Sequence, residues 1–154
     1  LAARWAREGV DADTILARVQ DLQARQRVYF VVDTLEYLHR GGRIGGAKAL
    51  VGGLLQVKPI LTLRDGRVES FEQQRTARRA LARLRELVLE ECPHNAESYL
   101  CVMHADAEAE ARAMAADFAA ALGLSEVPIY ELPPAIVTHG GPGILATGFF
   151  VAPT

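Results

Sequence analysis

The sequence has little of what would place it in a specialised class of protein. Its apolar runs are too short to span a bilayer and no signal peptide is visible, so we expect no membrane insertion. The two cysteines, Cys92 and Cys101, match no metal or redox spacing, and we therefore expect a reducing cytoplasmic environment. The formal net charge of -2 argues against a general nucleic-acid binder.

The sequence also lacks the arrangements of a self-sufficient enzyme. It shows no paired carboxylates, no nucleophile elbow and no metal-ligand spacing. The glycine-rich segment 47–55 is not a phosphate loop, because Lys48 is not followed by serine or threonine. His94 and His104 have no matched partners and are interpreted as structural or surface residues. We therefore predict no catalytic residue, no metal and no cofactor.

The 154 residues are enough for one domain with a core, and half of them are hydrophobic. Because the chain begins at Leu1 on a helix-like stretch, we expect it to be the later part of a longer protein. Strand-like and helix-like segments alternate, which predicts an α/β sandwich with a mixed sheet. The predicted helices are 1–8, a helix capped by Asp11 or Asp13, 34–40, 45–55, a helix capped by Thr76, and a helix that Asp106 caps and Gly123 ends. The predicted strands are 28–32, 58–63, 67–73, 99–103, 127–132 and 144–151. A hairpin turn at Asp65-Gly66 joins the second strand to the third.

The most distinctive segment is Thr-His-Gly-Gly-Pro-Gly at 138–143. His139 follows an apolar run, 135–137, that reads as a strand, and three glycines lie within the next four residues. Glycine permits positive φ and close approach of backbone N–H groups to a ligand, and imidazole adds a further donor. The segment therefore indicates either a small anion site, for carboxylate or phosphate, or a tight turn with a hydrogen-bonded histidine.

Two arginines, Arg40 and Arg43, flank Gly41-Gly42 just after the first predicted strand. Ligands of open α/β sheets bind beyond the carboxyl ends of strands, and arginine donates several hydrogen bonds to carboxylate or phosphate. The alternative is a helix that ends at the glycine pair with solvated arginines.

A second group of arginines lies at the start of the helix capped by Thr76. Arg75, Arg78 and Arg79 cluster on the first turn, and Arg83 follows one turn later. Positive charges at the positive end of a helix dipole are unfavourable by a few tenths to ~1 kcal/mol each. This arrangement indicates either an acidic partner or an ordinary solvated helix face.

The ordered set of these segments resembles the DegV family of bacterial fatty-acid-binding proteins. The resemblance covers nearly the whole chain and matches the second of the family's two domains, residues 28–154, with 1–27 as connecting helices. The matching stretches are 30–38, 41–44, 55–61, Asp65-Gly66, Arg75-Thr76, and His139 with 141–143.

The resemblance implies a two-layer α/β domain with a mixed six-stranded sheet and a long-chain fatty acid whose tail lies in an apolar tunnel. It implies a carrier rather than an enzyme: a separate fatty acid kinase phosphorylates the bound acid to an acyl phosphate for phospholipid synthesis. His139 would bind the carboxylate, and Arg43 would lie near it. The predicted ligand-binding residues are His139, Arg43, Gly140, Gly141, Gly143, Ile44, Leu54, Leu55 and Ile60, and the predicted kinase-binding residues are Arg75, Arg78 and Arg79.

Two departures from the family pattern stand beside the resemblance. The family's first domain, which supplies hydroxyl groups to the carboxylate, is absent from this sequence, and we expect it to act as a partner of this chain. Gly45-Gly46 stands where a serine is often found. Two other interpretations stay open: an enzyme domain of the dihydroxyacetone-kinase class, and a protein-interaction domain without a ligand.

Overall fold

The computed structural model describes residues 1–50 and 57–153. It confirms the mixed six-stranded sheet, with the strand order β3-β2-β1-β6-β4-β5. Only the β4–β5 pair is parallel among the pairings of the described residues. The elements are α1 (Ala2–Arg7), α2 (Ala12–Arg25), β1 (Gln26–Val31), α3 (Glu36–Arg40), a 3-10 helix at Gly45–Leu50, β2 (Lys58–Arg64), β3 (Arg67–Gln74), α4 (Ala77–Glu91), a 3-10 helix at Ala96–Ser98, β4 (Cys101–Ala105), α5 (Glu108–Leu122), β5 (Ile129–Glu131), α6 (Pro134–Gly140) and β6 (Ile144–Phe150).

The two faces of the sheet are covered differently. Successive residues of a strand point to opposite faces. One face, which we term the helix-covered face, packs against the long helices α4 and α5 through a core that includes Tyr29, Leu84 and Phe118. The other, the short-helix face, packs against α3, α6 and the 3-10 helix at Gly45–Leu50 through a smaller cluster that includes Leu61 and Ile144.

Local chemistry explains most of the element boundaries. Asp11 caps α2 by accepting from the Thr14 N–H at 2.9 Å, and Thr76 caps α4 by accepting from the Arg79 N–H at 3.2 Å, as predicted. Asp65 and Gly66 both have positive φ, as a tight two-residue hairpin between β2 and β3 requires.

The predicted cap of the alanine-rich helix is wrong. The residue before α5 is Ala107, which makes no side-chain capping hydrogen bond. Asp106 instead adopts a left-handed conformation, with φ of 54°, at the turn between β4 and α5. Aspartate is among the residues that tolerate this conformation. Asp106 therefore forms part of the turn and does not cap the helix.

The apolar run 135–137 was expected as a strand and is part of the helix α6. Proline at the first helical position needs no N–H partner and has a φ suited to a helix. Val137 packs on the short-helix face, and the Thr138 hydroxyl donates to the Pro134 carbonyl at 2.8 Å. His139 therefore lies in the last turn of a helix, not at the end of a strand.

Within the described ranges, no helix combines the length and apolar character that crossing a membrane requires.

Candidate functional site

Two glycine-containing turns meet at one end of the sheet, beyond β1 and before β6. One turn follows α3 and the other follows α6, and the two short helices contact each other. The closest point is between Gly41 and His139: a Cβ atom on Gly41 would lie 2.5 Å from His139 Nδ1. Gly41 has an ordinary φ of -76°, so it is the space beside the imidazole, rather than the backbone conformation, that favours glycine here.

The imidazole of His139 is held with one nitrogen enclosed. Nδ1 is buried and has no hydrogen-bond partner among the described residues. Buried polar atoms are nearly always paired, and an unpaired one costs about 1–3 kcal/mol. A neutral imidazole has one donor nitrogen and one acceptor nitrogen. Since Nδ1 is unpaired in either neutral form, Nε2 is the ring nitrogen through which His139 can bond a ligand.

Arg43 lies on the other side of the same glycine. Its Nη1 donates to the Gly41 carbonyl at 2.9 Å, and its backbone N–H donates to the Leu38 carbonyl at 2.9 Å. The side chain is exposed and forms no ion pair within the described part of the chain. The structure therefore brings His139 and Arg43 together around Gly41, although nearly the whole domain separates them in sequence.

The glycines after His139 are tightly packed, and two of their N–H groups form hydrogen bonds within the fold. The Gly141 N–H donates to the Val137 carbonyl and the Gly143 N–H donates to the Ala105 carbonyl, each at 2.8 Å. These two N–H groups are therefore already used within the fold, and the contact of Gly141 and Gly143 with a ligand stays a prediction. Their positive φ values, 82° and 76°, and the lack of a side chain let the turn lie against its neighbours.

Two residues that the sequence interpretation had not assigned make these contacts. The Tyr37 ring packs directly on Gly141, and the Asp33 carboxylate lies over Gly143, so that a side chain at either glycine would collide with it. The Asp33 carbonyl also accepts from Lys58 Nζ at 2.7 Å. Gly140 has no room for a side chain either, since a Cβ would lie 2.5 Å from Ile144 Cδ1.

The predicted apolar lining does not form a single wall. Ile44 packs with Leu61 on the short-helix face. Ile60 packs with Tyr29 and Leu84 on the helix-covered face, and it is fully buried. A register shift separates Ile60 from Leu61. The sheet therefore lies between the two isoleucines, and one tunnel cannot contact both side chains. Leu54 and Leu55 lie outside the described residues.

A cavity of about 190 Å³ opens beside Asp33, on the helix-covered face. Apolar residues of β1, α4 and β6 line it, together with the charged residues Asp33, Lys58, Asp106 and Glu110. Ligand pockets for drug-sized molecules measure about 300–1,000 Å³. Since the cavity is smaller than this range, it has too little space for a long-chain acid.

The arginines at the start of α4 are exposed, with Arg78 and Arg79 in its first turn and Arg75 just before the N-cap Thr76. Arg75, Arg78 and Arg79 form no ion pair within residues 1–50 and 57–153. Arg83 does not continue this exposed group, because it pairs with Glu72 at 3.0 Å and also contacts the carboxylates of Glu86 and Glu90. Hydrogen bonds to these carboxylates, Glu72 foremost, raise the pKa of the Arg83 guanidinium. The exposed basic surface therefore consists of three arginines.

No three His, Cys, Asp or Glu side chains come together to hold a metal ion in the part of the chain that the structure describes.

Comparison with known proteins identifies the family to which this chain is similar. A family model described as "Uncharacterised protein, DegV family" matches residues 1–152. A DegV domain-containing protein of Streptomyces coelicolor is 40% identical over 145 residues, which are 94% of this chain and 51% of that protein. One of Halalkalibacterium halodurans is 35% identical over 150 residues, which are 97% of this chain and 53% of that protein. The chain thus spans about half the length of the curated relatives it matches.

Solved structures show the same fold. A fatty acid binding DegV family protein from Streptococcus agalactiae has a TM-score of 0.83 and 30% identity, and the match covers 99% of this chain and 54% of that one. DegV from Bacillus subtilis, a fatty acid binding protein, has a TM-score of 0.82 and 31% identity, over 98% of this chain and 54% of that one.

Proposed function

This chain belongs to the DegV family, and on that basis we propose that it binds a long-chain fatty acid and presents the carboxylate to a partner kinase. Two structural relatives at 30% and 31% identity are fatty acid binding proteins, which supports this ligand class. The chain acts as a carrier in the cytoplasm, and the kinase supplies the chemistry that converts the acid to an acyl phosphate.

The enclosed imidazole of His139 is the observation that carries the proposal. Its Nδ1 is buried and unpaired, so Nε2 is the nitrogen that would donate to a carboxylate oxygen, in the form that carries a proton there. Arg43, held on the same Gly41, adds a positive charge that attracts the carboxylate. The two residues form one half of a head-group site, in keeping with a chain of about half its relatives' length.

The acyl tail lies on the short-helix face. Apart from the small cavity beside Asp33, α4 and α5 fill the helix-covered face with fully buried side chains such as Leu84, Val88 and Phe118. Each methylene group that leaves water contributes about 0.8 kcal/mol, so ten of them contribute about 8 kcal/mol. A hydrogen bond to a charged group contributes about 1.5–3 kcal/mol. The tail therefore supplies most of the affinity, and the head-group site fixes the orientation.

The remaining half of the head-group site belongs to the family's other domain, whose hydroxyl groups we expect to complete the carboxylate's hydrogen bonds. The exposed arginines at the start of α4, which are Arg75, Arg78 and Arg79, form the surface that meets the kinase. Three unpaired positive charges at a helix N-terminus repel one another, and an acidic partner surface relieves that repulsion.

Native mass spectrometry of the full-length protein, as purified and after delipidation, tests the proposal. We expect an adduct with the mass of a long-chain fatty acid, lost on delipidation and restored by palmitate or oleate. A protein that carries no lipid and takes up neither acid would contradict the proposal. Titration with a nucleotide serves as the control for a kinase-like enzyme, since a carrier alone has no need to bind it.

A further inference from the structure

The short-helix face becomes less covered along β6. Ile144 and Ala146 point to this face and are buried, whereas Gly148 is half-buried. Residues two apart on a strand share a face, so these three positions form one line. The line begins under the α6 turn, where Gly140, the residue next to His139, packs against Ile144 Cδ1.

Larger side chains border this line on both neighbouring strands. Phe30 of β1 and Met103 of β4 lie opposite Ala146, and Val28 and Cys101 lie opposite Gly148. All four are half-buried. Burial raises the pKa of the Cys101 thiol, so this wall is uncharged at neutral pH. The short-helix face therefore contains a trough whose floor on β6 changes from Ile144 through Ala146 to Gly148, with apolar walls on β1 and β4.

Gly148 is the place where this floor has no side chain at all. A Cβ there would lie 3.4 Å from Met103 Cε and 3.7 Å from Cys101 Sγ, which are ordinary contact distances. Its φ is not in the left-handed region, so the backbone accepts other residues. An alanine fits at this position, while a leucine would extend into the trough.

We propose that Gly148 sets the length of acyl chain that the protein accepts. This inference rests on the fatty-acid-binding function proposed above. From Ile144 to Gly148 the strand advances about 14 Å, at ~3.4 Å per residue. An extended hydrocarbon chain advances about 1.3 Å per carbon, from C–C bonds of about 1.5 Å, so about eleven carbons span that distance. A ten-carbon acid ends before Gly148, and a sixteen-carbon acid passes over it.

Calorimetric titration of the delipidated full-length protein with decanoate, laurate, palmitate and stearate tests this inference. In Gly148→Leu we expect decanoate to bind as it does to the wild type. Palmitate should bind roughly 200- to 1,000-fold more weakly, because each of four or five excluded methylene groups costs about fourfold. Gly148→Ala is the matched control and should change palmitate affinity by less than about threefold, because its Cβ has room.

A second variant, Cys101→Leu, narrows the same trough from β4 and leaves β6 unchanged. It should weaken palmitate binding more than decanoate binding, as Gly148→Leu does. An unchanged chain-length profile in Gly148→Leu, or a uniform loss across all four acids in both variants, would overturn the inference. A wild-type protein that binds none of the acids would instead overturn the proposed function, so the two failures are distinguishable.

Discussion

Replacing His139 with alanine should weaken the binding of a long-chain fatty acid through its carboxylate and leave the contribution of the buried tail unchanged. The imidazole lies in the last turn of α6, against Gly41, and its Nδ1 is enclosed without a partner. The substitution removes the proposed Nε2 donor to the carboxylate and leaves the trough along β6 unchanged. It also empties the space beside Gly41, where Arg43 is held by the Gly41 carbonyl.

The size of the effect follows from the bond that is lost. A hydrogen bond to a charged group contributes about 1.5–3 kcal/mol, and a half-buried one lies toward the lower end, so we expect a loss of about 1–3 kcal/mol. That range corresponds to a roughly 5- to 150-fold higher Kd. The loss cannot approach the roughly 8 kcal/mol that ten buried methylene groups contribute.

Calorimetry with two ligands separates the head group from the tail. The delipidated full-length protein is titrated with palmitate and with methyl palmitate, whose ester carries no negative charge. His139→Ala should weaken palmitate binding and change methyl palmitate binding much less. Thr138→Ala is the matched control, because the Thr138 hydroxyl donates to the Pro134 carbonyl within α6. It should leave both affinities near their wild-type values.

Two results would refute this reasoning. An unchanged Kd for palmitate would show that His139 makes no bond to the carboxylate. An equal loss for both ligands would show that the imidazole acts by holding α6 in place, as a structural residue. In either case the head-group site would have to be assigned to other residues.

Three further predictions follow from the same contacts. Gly41→Ala should weaken palmitate binding in the wild type and have little further effect in His139→Ala, because its Cβ would displace the imidazole 2.5 Å away. Phe118→Ala should lower the free energy of unfolding by about 3–5 kcal/mol, measured by urea denaturation, because this ring is fully buried between α5 and the sheet. Arg75→Glu combined with Arg78→Glu should leave palmitate affinity unchanged and weaken association with the kinase, measured by calorimetry.

Each of these has its own control. Additive effects of Gly41→Ala and His139→Ala would mean that the two residues do not act through one contact. Tyr130→Ala, at an exposed position, should change stability by no more than about 0.5 kcal/mol, and an equal loss at both aromatic positions would contradict the packing argument. Arg85→Glu reverses a charge on the same helix, where Arg85 pairs with Asp117 at 3.2 Å. If Arg85→Glu weakens kinase binding as much as the Arg75→Glu, Arg78→Glu double variant does, the start of α4 is not the surface that binds the kinase.

The sequence predicted the elements well where the signal is local. Asp11, Thr76 and the Asp65-Gly66 pair each act through hydrogen bonds or φ values of their own neighbourhood, and the structure confirms all of them. The prediction failed where two local preferences compete. The run 135–137 is apolar enough for a strand, but the preceding prolines start a helix, and Val137 then packs on the short-helix face.

The candidate site was predicted in part for the same reason. His139 and Arg43 were visible as unusual residues beside glycines, and the structure brings both to Gly41. The role of the glycines was not visible, because it depends on which residues lie opposite them. Tyr37 and Asp33 fill the space above Gly141 and Gly143, and nothing in the local sequence indicates those contacts.

The sequence by itself determined most of the helices and strands, the caps of α2 and α4 and the hairpin, because these depend on hydrogen bonds and backbone conformations within a few residues. Only the tertiary structure decided that Ile44 and Ile60 lie on opposite faces of the sheet, and that Gly148 lies between Val28 and Cys101 of the neighbouring strands. Those outcomes depend on strand register and on the layer that covers each face. A shift of one residue in register moves every side chain of a strand to the other face, and many small contacts between distant segments set that register.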